Sequence, residues 1–405
     1  MTPDVVVVGA GVVGAFAALE LAAAGAQVEV LERGVGWGSG CSWGNAGLLL
    51  PSHARPIAAP ESLRAGLAWM WRRDSPFGIR LRPSLAPWLL RYLRACAPRR
   101  TEAAERLQRE LCRESLELFG GLAAAGIDSG FRRRGCLVVH MGQAAEEHAG
   151  AEAASETGRA LGAQVLGAAE ARELEPRLSD RVRAAILFPR EGECDPVRLV
   201  RSAGALAAER GVRLRDGVEA YGMRADGGGV TVETTHGAVG AGRAVVAAGA
   251  WSGRLARSLG VRLPLQGGKG YAAEWDREAA PVRMPLYMHD QRCVANPMDD
   301  RTRMTGGLLL DGLDERFDPR RVATIAAAAR DVLDVTAPPR LTWRGLRPCT
   351  PDGLPVIGTH SAAPGVVFAT GHAMLGVTLA PLTGRLVAEL VAGKVSQPAL
   401  SPQRF

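Results

Sequence analysis

Three glycines and one acid near the start of the chain have types and spacing that can do chemistry. Gly9, Gly11 and Gly14 form a G-x-G-x-x-G pattern, and Glu32 stands 18 residues beyond the last of them. The pattern is weak alone, so its setting matters. A β-branched run, Asp4 to Val8, precedes it; an Ala/Leu-rich helical stretch opening at Val12 and Val13 follows to Ala24, with Gly25 as a stop; a second strand, Gln27 to Leu31, ends at Glu32. In that setting Gly9 permits a tight turn, Gly11 lets a pyrophosphate approach backbone N–H groups at the positive end of the helix, and Gly14 lets helix and strand pack closely. Glu32 can accept hydrogen bonds from ribose hydroxyls and repels a 2′-phosphate. The bland alternative is a βα turn with incidental glycines.

Two further glycine clusters follow the same logic. Residues 36–47 include Ser42, Trp43, Gly44, Asn45, Ala46 and Gly47, too glycine-dense for a packed helix. Such a loop lets backbone lie on a flat ligand, or is simply flexible. Near the other end, Gly371-His372-Ala373-Met374-Leu375-Gly376-Val377-Thr378 leads into a helix expected from Leu382 to Val391. A glycine-rich turn opening a helix again presents N–H donors and a positive dipole end.

The elements that must position these clusters read as alternating strands and helices. Helices are expected at Thr101–Ala125, Ala144–Leu161, Val197–Arg210 and Asp318–Leu333. Strands are expected at Phe131–His140, Val230–Thr234, Arg243–Ala247 and Val366–Ala369, with two more between Leu286 and Gly307. The Arg243–Ala247 strand runs into Ala248-Gly249-Ala250, small residues that can return to the pyrophosphate side. From Leu63 to Arg100 tryptophans and leucines alternate with arginines, as on a membrane-surface helix, although Pro76, Pro83 and Pro87 break the segment and a domain-packing helix is the plainer reading.

Composition bounds the class. The 405 residues are 47% hydrophobic and 22% charged, which excludes disorder and coiled coil and suits two domains. Lys and Arg exceed Asp and Glu by 49 − 42 = 7, too slight an excess to imply nucleic-acid binding. Seven cysteines without a C-x-x-C pair suggest a reduced, cytoplasmic set and no metal site. No basic segment precedes the first strand, so secretion is not expected.

Together these clusters resemble the D-amino acid oxidase/dehydrogenase superfamily of FAD enzymes, most nearly the bacterial D-amino acid and D-hydroxyproline dehydrogenases. The resemblance runs through the first fingerprint, Ser42 to Gly47 with Pro51 and Pro60 beyond, Ala248-Gly249-Ala250-Trp251-Ser252, and Gly345-Leu346-Arg347-Pro348 onward. It implies an α/β fold: a Rossmann-like FAD-binding domain of the GR2 type, with an interleaved α+β substrate domain built on an antiparallel sheet. The expected FAD-binding pieces are 1–75, 190–262 and 340–405, and the substrate pieces 76–189 and 263–339. FAD is expected to bind noncovalently, with contacts from Gly9 to Gly14, Glu32, Arg33, Val218, Ala248 and Gly249 along its nucleotide half. The isoalloxazine is expected against Gly44 to Leu48, including Asn45, Ala46 and Gly47, and the turn of Gly371, Met374, Leu375, Gly376 and Thr378.

The arginine of the family's G-[LF]-R-P motif holds the substrate carboxylate; here it is Arg347, and a bidentate guanidinium suits that task. Tyr271 and Tyr287 are candidates to cap the substrate, with core packing as the alternative. His53 and His289 are candidate polar pocket residues, although a lone histidine is more often ordinary. Relatives commonly have glycine where Ala373 stands, and the apolar Met374 and Leu375 supply no second carboxylate-binding arginine. The implied reaction is dehydrogenation of a D-amino or cyclic D-imino acid, with hydride passing from Cα to flavin N5 and electrons to a quinone or other acceptor. The alternatives are a glycine- or sarcosine-type oxidase using oxygen, and a membrane-docked flavin-binding subunit. The expected location is cytoplasmic, with peripheral contact at the inner face of the membrane.

Overall fold

The computed structural model describes residues 2–60, 75 and 77–405. The expected fingerprint elements form with small shifts: strand Val5–Val8, helix Val12–Ala23 and strand Val28–Leu31. The helix is almost wholly apolar and buried, as an element needs to be when one face meets a sheet and the other meets helices. It ends as expected at Gly25, whose φ of 88° and the return bond from Ala26 N to Leu21 O close the last turn.

These strands belong to a six-stranded sheet. From edge to edge it runs Val356–His360, Ala363–Thr370, Arg243–Val246, Val5–Val8, Val28–Leu31 and Arg213–Arg215. All neighbours are parallel except the first pair, and Val5 to Val8 are buried on both faces, as central parallel strands require. A three-stranded antiparallel sheet, Ala220–Ala225, Val230–Thr234 and Gly237–Ala241, covers one side through a core that includes Val218, Met223 and Phe368. Helices Pro196–Glu209 and Gly376–Val391 cover the other with the first helix, around Phe16, Leu199 and Val387.

A second sheet of nine strands is mostly antiparallel. Its long strand Gln266–Asp276, glycine-rich at Gly267, Gly268 and Gly270, gave no clear strand signal in sequence yet is buried along nearly its whole length. The reason is crowding: a Cβ on Gly270 would lie 2.2 Å from the Arg347 guanidinium, and one on Gly268 2.6 Å from Leu308. The flanking strands are Arg301–Leu310 and Leu341–Cys349. Thus Arg347 is carried by the large sheet, not by the parallel sheet that holds the rest of the chain beyond 350.

Other departures from expectation have local causes. The helix expected over Ala144–Leu161 is two helices, Ala145–Ala153 and Glu156–Leu161, because the Ser155 side chain accepts a hydrogen bond from Gly158 N and caps the second. The last long helix begins at Gly376, six residues before its expected start, and carries Pro381 inside it. Three strands, not two, occupy residues 286–310: Leu286–Met288, Cys293–Pro297 and Arg301–Leu310.

Within the arginine- and tryptophan-rich segment, Trp69 to Arg73 lie outside the described residues. Helix Ala86–Ala95 turns its aromatic residues inward: Trp88 and Tyr92 are buried and stacked 5.4 Å apart, and Trp88 Nε1 donates to Cys349 O. The tryptophan of this helix therefore packs in the core, and leucines and arginines form its outer face.

Candidate active site

The fingerprint is built as its chemistry requires. Gly9 has φ 109°, and a Cβ there would meet Ala247 O at 2.6 Å; a Cβ on Gly14 would meet Gly9 O at 1.8 Å. Gly11 differs: the nearest atom to its missing Cβ is Ser42 Oγ at 3.4 Å, so the helix end stays open. Ser42 Oγ accepts a hydrogen bond from Val12 N, which ties the glycine loop to the first turn. Val13 is half-buried beside it.

The Glu32 carboxylate bridges the turn, accepting from Ala10 N and Gly34 N, each at 2.7 Å. Each oxygen keeps a further lone pair for a ribose hydroxyl. Arg33 lays its guanidinium 3.5 Å from the centre of the Trp251 ring and 3.6 Å from Glu315. The Val218 side chain is core, and its N–H donates to Glu32 O, so only its carbonyl is left for a ligand. Gly249, at φ 53°, is held by Thr370 Oγ1 donating to its carbonyl, and Ala248 lies half-buried before it. An open helix end, an acid at the strand terminus and glycines that admit no Cβ fit an extended dinucleotide.

A cavity of about 700 Å³ opens between the large sheet, the segments 41–59 and 372–375, and helix residues such as Glu105, Gln108 and Glu152. It gathers residues from distant parts of the chain: Asn45, Ala46 and Leu48, His53, Tyr271, Tyr287 and His289, Arg347, and Met374 and Leu375. All five residues singled out for substrate contact therefore line one space. Gly47, Gly371, Gly376 and Thr378 stand behind it as support: Gly47 N donates to Asn45 Oδ1, Gly371 has φ 77°, and Thr378 Oγ1 donates to Leu48 O at 3.4 Å. Helix Gly376–Val391 has no side-chain cap at its start, so its first N–H groups face the turn that lines the cavity. Ala373 adopts φ 47°, a left-handed conformation that glycine takes without strain.

Arg347 enters this cavity with one hydrogen bond, from Nη1 to Gly307 O at 2.7 Å. Among the described residues no carboxylate pairs with it. A half-buried guanidinium without a counter-ion is prepared for an anion.

The loop at 43–47 has a different rationale from the one its glycines suggest. A Cβ on Gly44 would stand 1.9 Å from the Trp343 ring, and one on Gly47 would stand 2.1 Å from Cys194 O, so both glycines admit the protein's own groups. The loop is then clamped from the large sheet. Arg303, fully buried, pairs with Glu274 at 2.6 Å and donates from Nη1 to Trp43 O and Asn45 O at 2.7 and 2.9 Å. Asn296 Nδ2 donates to Ala46 O and Cys194 O. Sequence reading missed both residues, and the only available signal was an arginine inside an otherwise β-forming run.

Beside strand Leu286–Met288, four strands from the one that carries Arg347, the His53 ring lies against Tyr287, tilted by 35° with centroids 4.3 Å apart, and Ser52 Oγ lies 2.7 Å from His53 Nδ1. Burial, with the neighbouring charges of His289, Arg55 and Arg292, depresses His53 to about 3. Burial beside Arg292 depresses His289 to about 4. Both imidazoles are neutral at pH 7. Behind them, Glu191 accepts from Ser52 N and is pushed up to about 8 by burial.

Comparison with known proteins agrees with this architecture. The DAO family model, described as FAD dependent oxidoreductase, matches residues 4–390. The chain is 34% identical to a D-amino acid dehydrogenase of Paramagnetospirillum magneticum over 99% of its length and 98% of that protein. It is 34% identical to D-amino acid dehydrogenase 2 of Ralstonia nicotianae, with 98% and 99% covered. The crystal structure of glycine oxidase from Geobacillus kaustophilus superposes with a TM-score of 0.80 at 26% identity, covering 100% of this chain and 99% of that one. The L-proline dehydrogenase of P. horikoshii shares the fold at a TM-score of 0.73 and 20% identity. With the fingerprint, the interleaved sheets and a full-length family match in agreement, the chain belongs to the DAO family of FAD-dependent oxidoreductases.

Proposed function

We propose that this enzyme dehydrogenates D-amino or cyclic D-imino acids, holding the substrate carboxylate on Arg347. The observation that carries the reading is the Arg347 guanidinium in the cavity, bonded to Gly307 O and unmatched by any carboxylate among the described residues. The names of the full-length relatives support it. FAD, when bound, supplies the acceptor for the two electrons and the hydride removed from the substrate Cα.

The residues that would hold the cofactor are Gly9 to Gly14, Glu32, Ser42, Asn45 to Leu48, Ala248 and Gly249, and the Met374–Thr378 turn. FAD is held without a covalent link in this reading. Burial pushes the thiol of Cys41, which lines the cavity, above its ordinary range and that of Cys349 to about 12, so neither provides a thiolate for attachment. The protein's task is then placement: Arg347 fixes one end of the substrate, and Tyr271 and Tyr287 enclose it away from water. The uncapped start of helix Gly376–Val391 stabilises negative charge that develops nearby.

The Arg347→Lys variant tests the reading. It retains the positive charge but loses the fork, so apparent affinity for D-amino acids should fall roughly tenfold to a hundredfold, about 1–3 kcal/mol, with yellow flavin absorbance retained. Unchanged affinity would place the carboxylate elsewhere. Anaerobic bleaching across a substrate panel, followed by admission of a quinone or of oxygen, separates dehydrogenase from oxidase, since only the latter releases peroxide rapidly.

The electron acceptor is proposed to be a quinone met at a membrane surface. Among the described residues no helix is long and apolar enough to cross a membrane. Leu90 and Leu93 are 58% and 50% exposed on the outer face of helix Ala86–Ala95, Leu90 one turn before the exposed Arg94 and Leu93 next to it, and no acid occurs between residues 77 and 101.

A further inference from the structure

The part of the cavity beside strand Leu286–Met288, four strands across the large sheet from the strand that carries Arg347, gathers polar groups beyond the proposed carboxylate site. His53, Tyr287, His289 and Arg292 line it, with Glu152 and Glu105 on the helix side. His53 Nε2 lies 3.7 Å from Glu152 Oε1, beyond hydrogen-bond reach, and Tyr287 OH accepts only a long contact of 3.5 Å from Arg292 Nη1. His289 Nδ1 is buried with no hydrogen-bond partner among the described residues. Its ring rests on His140, centroids 4.6 Å apart, and both nitrogens of His140 are likewise unpartnered. Of the residues that line the cavity here, His53 and Tyr287 are held on its side by these long contacts alone among the described residues, so a ligand in the cavity can complete their hydrogen bonding. A metal is not that ligand: among the described residues no group of three or more His, Cys, Asp or Glu is placed to hold one.

Charge decides which chemistry fits. The lining charges balance, two guanidinium groups (Arg55, Arg292) against two carboxyl groups (Glu105, Glu152), and Arg55 is already paired with Glu105 at 3.4 Å. Outside the lining, Asp290 is engaged by Met141 N, and His148 stands 6.5 Å from His289. A charged substrate side chain would find no unmatched counter-charge here and would be costly to bury. A neutral group that both gives and accepts hydrogen bonds finds imidazole nitrogens and a phenol able to do either.

We infer that the His53–Tyr287–His289 end of the cavity recognises the substrate side chain and selects amino acids bearing a neutral hydroxyl or carboxamide. This rests on the proposed carboxylate site at Arg347, which fixes the other end of the same molecule.

The test compares near-isosteric pairs, asparagine against leucine and threonine against valine, in both enantiomers, by kcat/KM with an artificial electron acceptor. The ratio polar/apolar is read within whichever enantiomer is active, so a wrong choice of hand leaves the side-chain result readable. The expected wild-type ratio is roughly tenfold or more in favour of the polar member, about the worth of one buried hydrogen bond. His289→Leu should bring it towards one while His289→Gln keeps most of it. Tyr287→Phe, which retains the ring against His53, should lower it several-fold even if His289→Leu does not fold. A wild-type ratio at or below one overturns the inference, as does a ratio unmoved in Tyr287→Phe and in flavin-loaded His289→Leu. If no amino or imino acid of either hand bleaches the flavin, the reading of Arg347 fails and this inference with it.

Discussion

Glu191 illustrates how single groups in this site carry stability as well as chemistry. Its Oε1 accepts from Ser52 N, beside His53, while Oε2 is buried without a partner among the described residues, and burial raises its carboxyl to about 8. An unfolded glutamate titrates near 4.3. Below that pH both states hold the proton and the contribution is fully present; as pH rises towards 8 the unfolded chain sheds a proton that the folded protein keeps, so stability falls. His53 and His289 act in the opposite sense. Their depressed values, about 3 and about 4, mean stability is lost as pH drops from about 6.5 towards 4. Between pH 6.5 and 8 only the Glu191 effect remains of the three. Thermal melts over that window should show wild type losing stability, at most ~1.4 kcal/mol per pH unit, and Glu191→Gln a visibly flatter profile. Identical slopes would mean that Glu191 is ionised throughout. At this scale the sequence was informative where chemistry follows from type: Gly9 and Gly14 sit where a Cβ would clash, Glu32 closes the turn, and Arg347 lines the cavity. It was silent on Glu191 and Asn296, because nothing in a glutamate or an asparagine announces that folding will bury it.

Among the elements, strand Arg301–Leu310 matters most for the cofactor loop, since it delivers Arg303 to the carbonyls of Trp43 and Asn45. Arg303→Met leaves Glu274 buried beside a lost partner, although Arg301 Nε still reaches it at 3.2 Å, and frees two loop carbonyls. Breaking such a buried pair should destabilise by about 3–5 kcal/mol. The double variant Arg303→Met/Glu274→Met separates two roles of the arginine. Removing both charges should recover much of the melting temperature, but FAD should still dissociate more readily on gel filtration because the loop remains unclamped. Full recovery of FAD retention would show that Arg303 serves stability alone. The glycine-rich strand Gln266–Asp276 was hidden for a related reason. Its glycines look like loop residues until Arg347 and Leu308 are seen to fill the space their missing side chains leave.

At the scale of the whole molecule, a mostly parallel and a mostly antiparallel sheet draw their strands from interleaved stretches of the chain, and the cavity opens on the second of them. We take the division into a cofactor lobe and a substrate lobe to follow these sheets, with strand Leu341–Cys349 assigned to the substrate side. If the outer face of helix Ala86–Ala95 meets a membrane, the wild-type protein should sediment with anionic liposomes at low salt. Leu90→Glu/Leu93→Glu should then stay in the supernatant with its dye-linked activity intact; failure of the wild type to sediment would exclude this docking face. The sequence by itself determined the βαβ fingerprint and its acid and pointed to Arg347 as the proposed carboxylate site, because turn geometry, helix dipole and guanidinium chemistry are properties of local residue types at fixed spacing. Only the tertiary structure decided that His53, Tyr287 and His289 share one end of a cavity and that Arg303 clamps a loop 260 residues away. Those relations depend on strand pairing and burial between segments far apart in the chain, which no local pattern encodes.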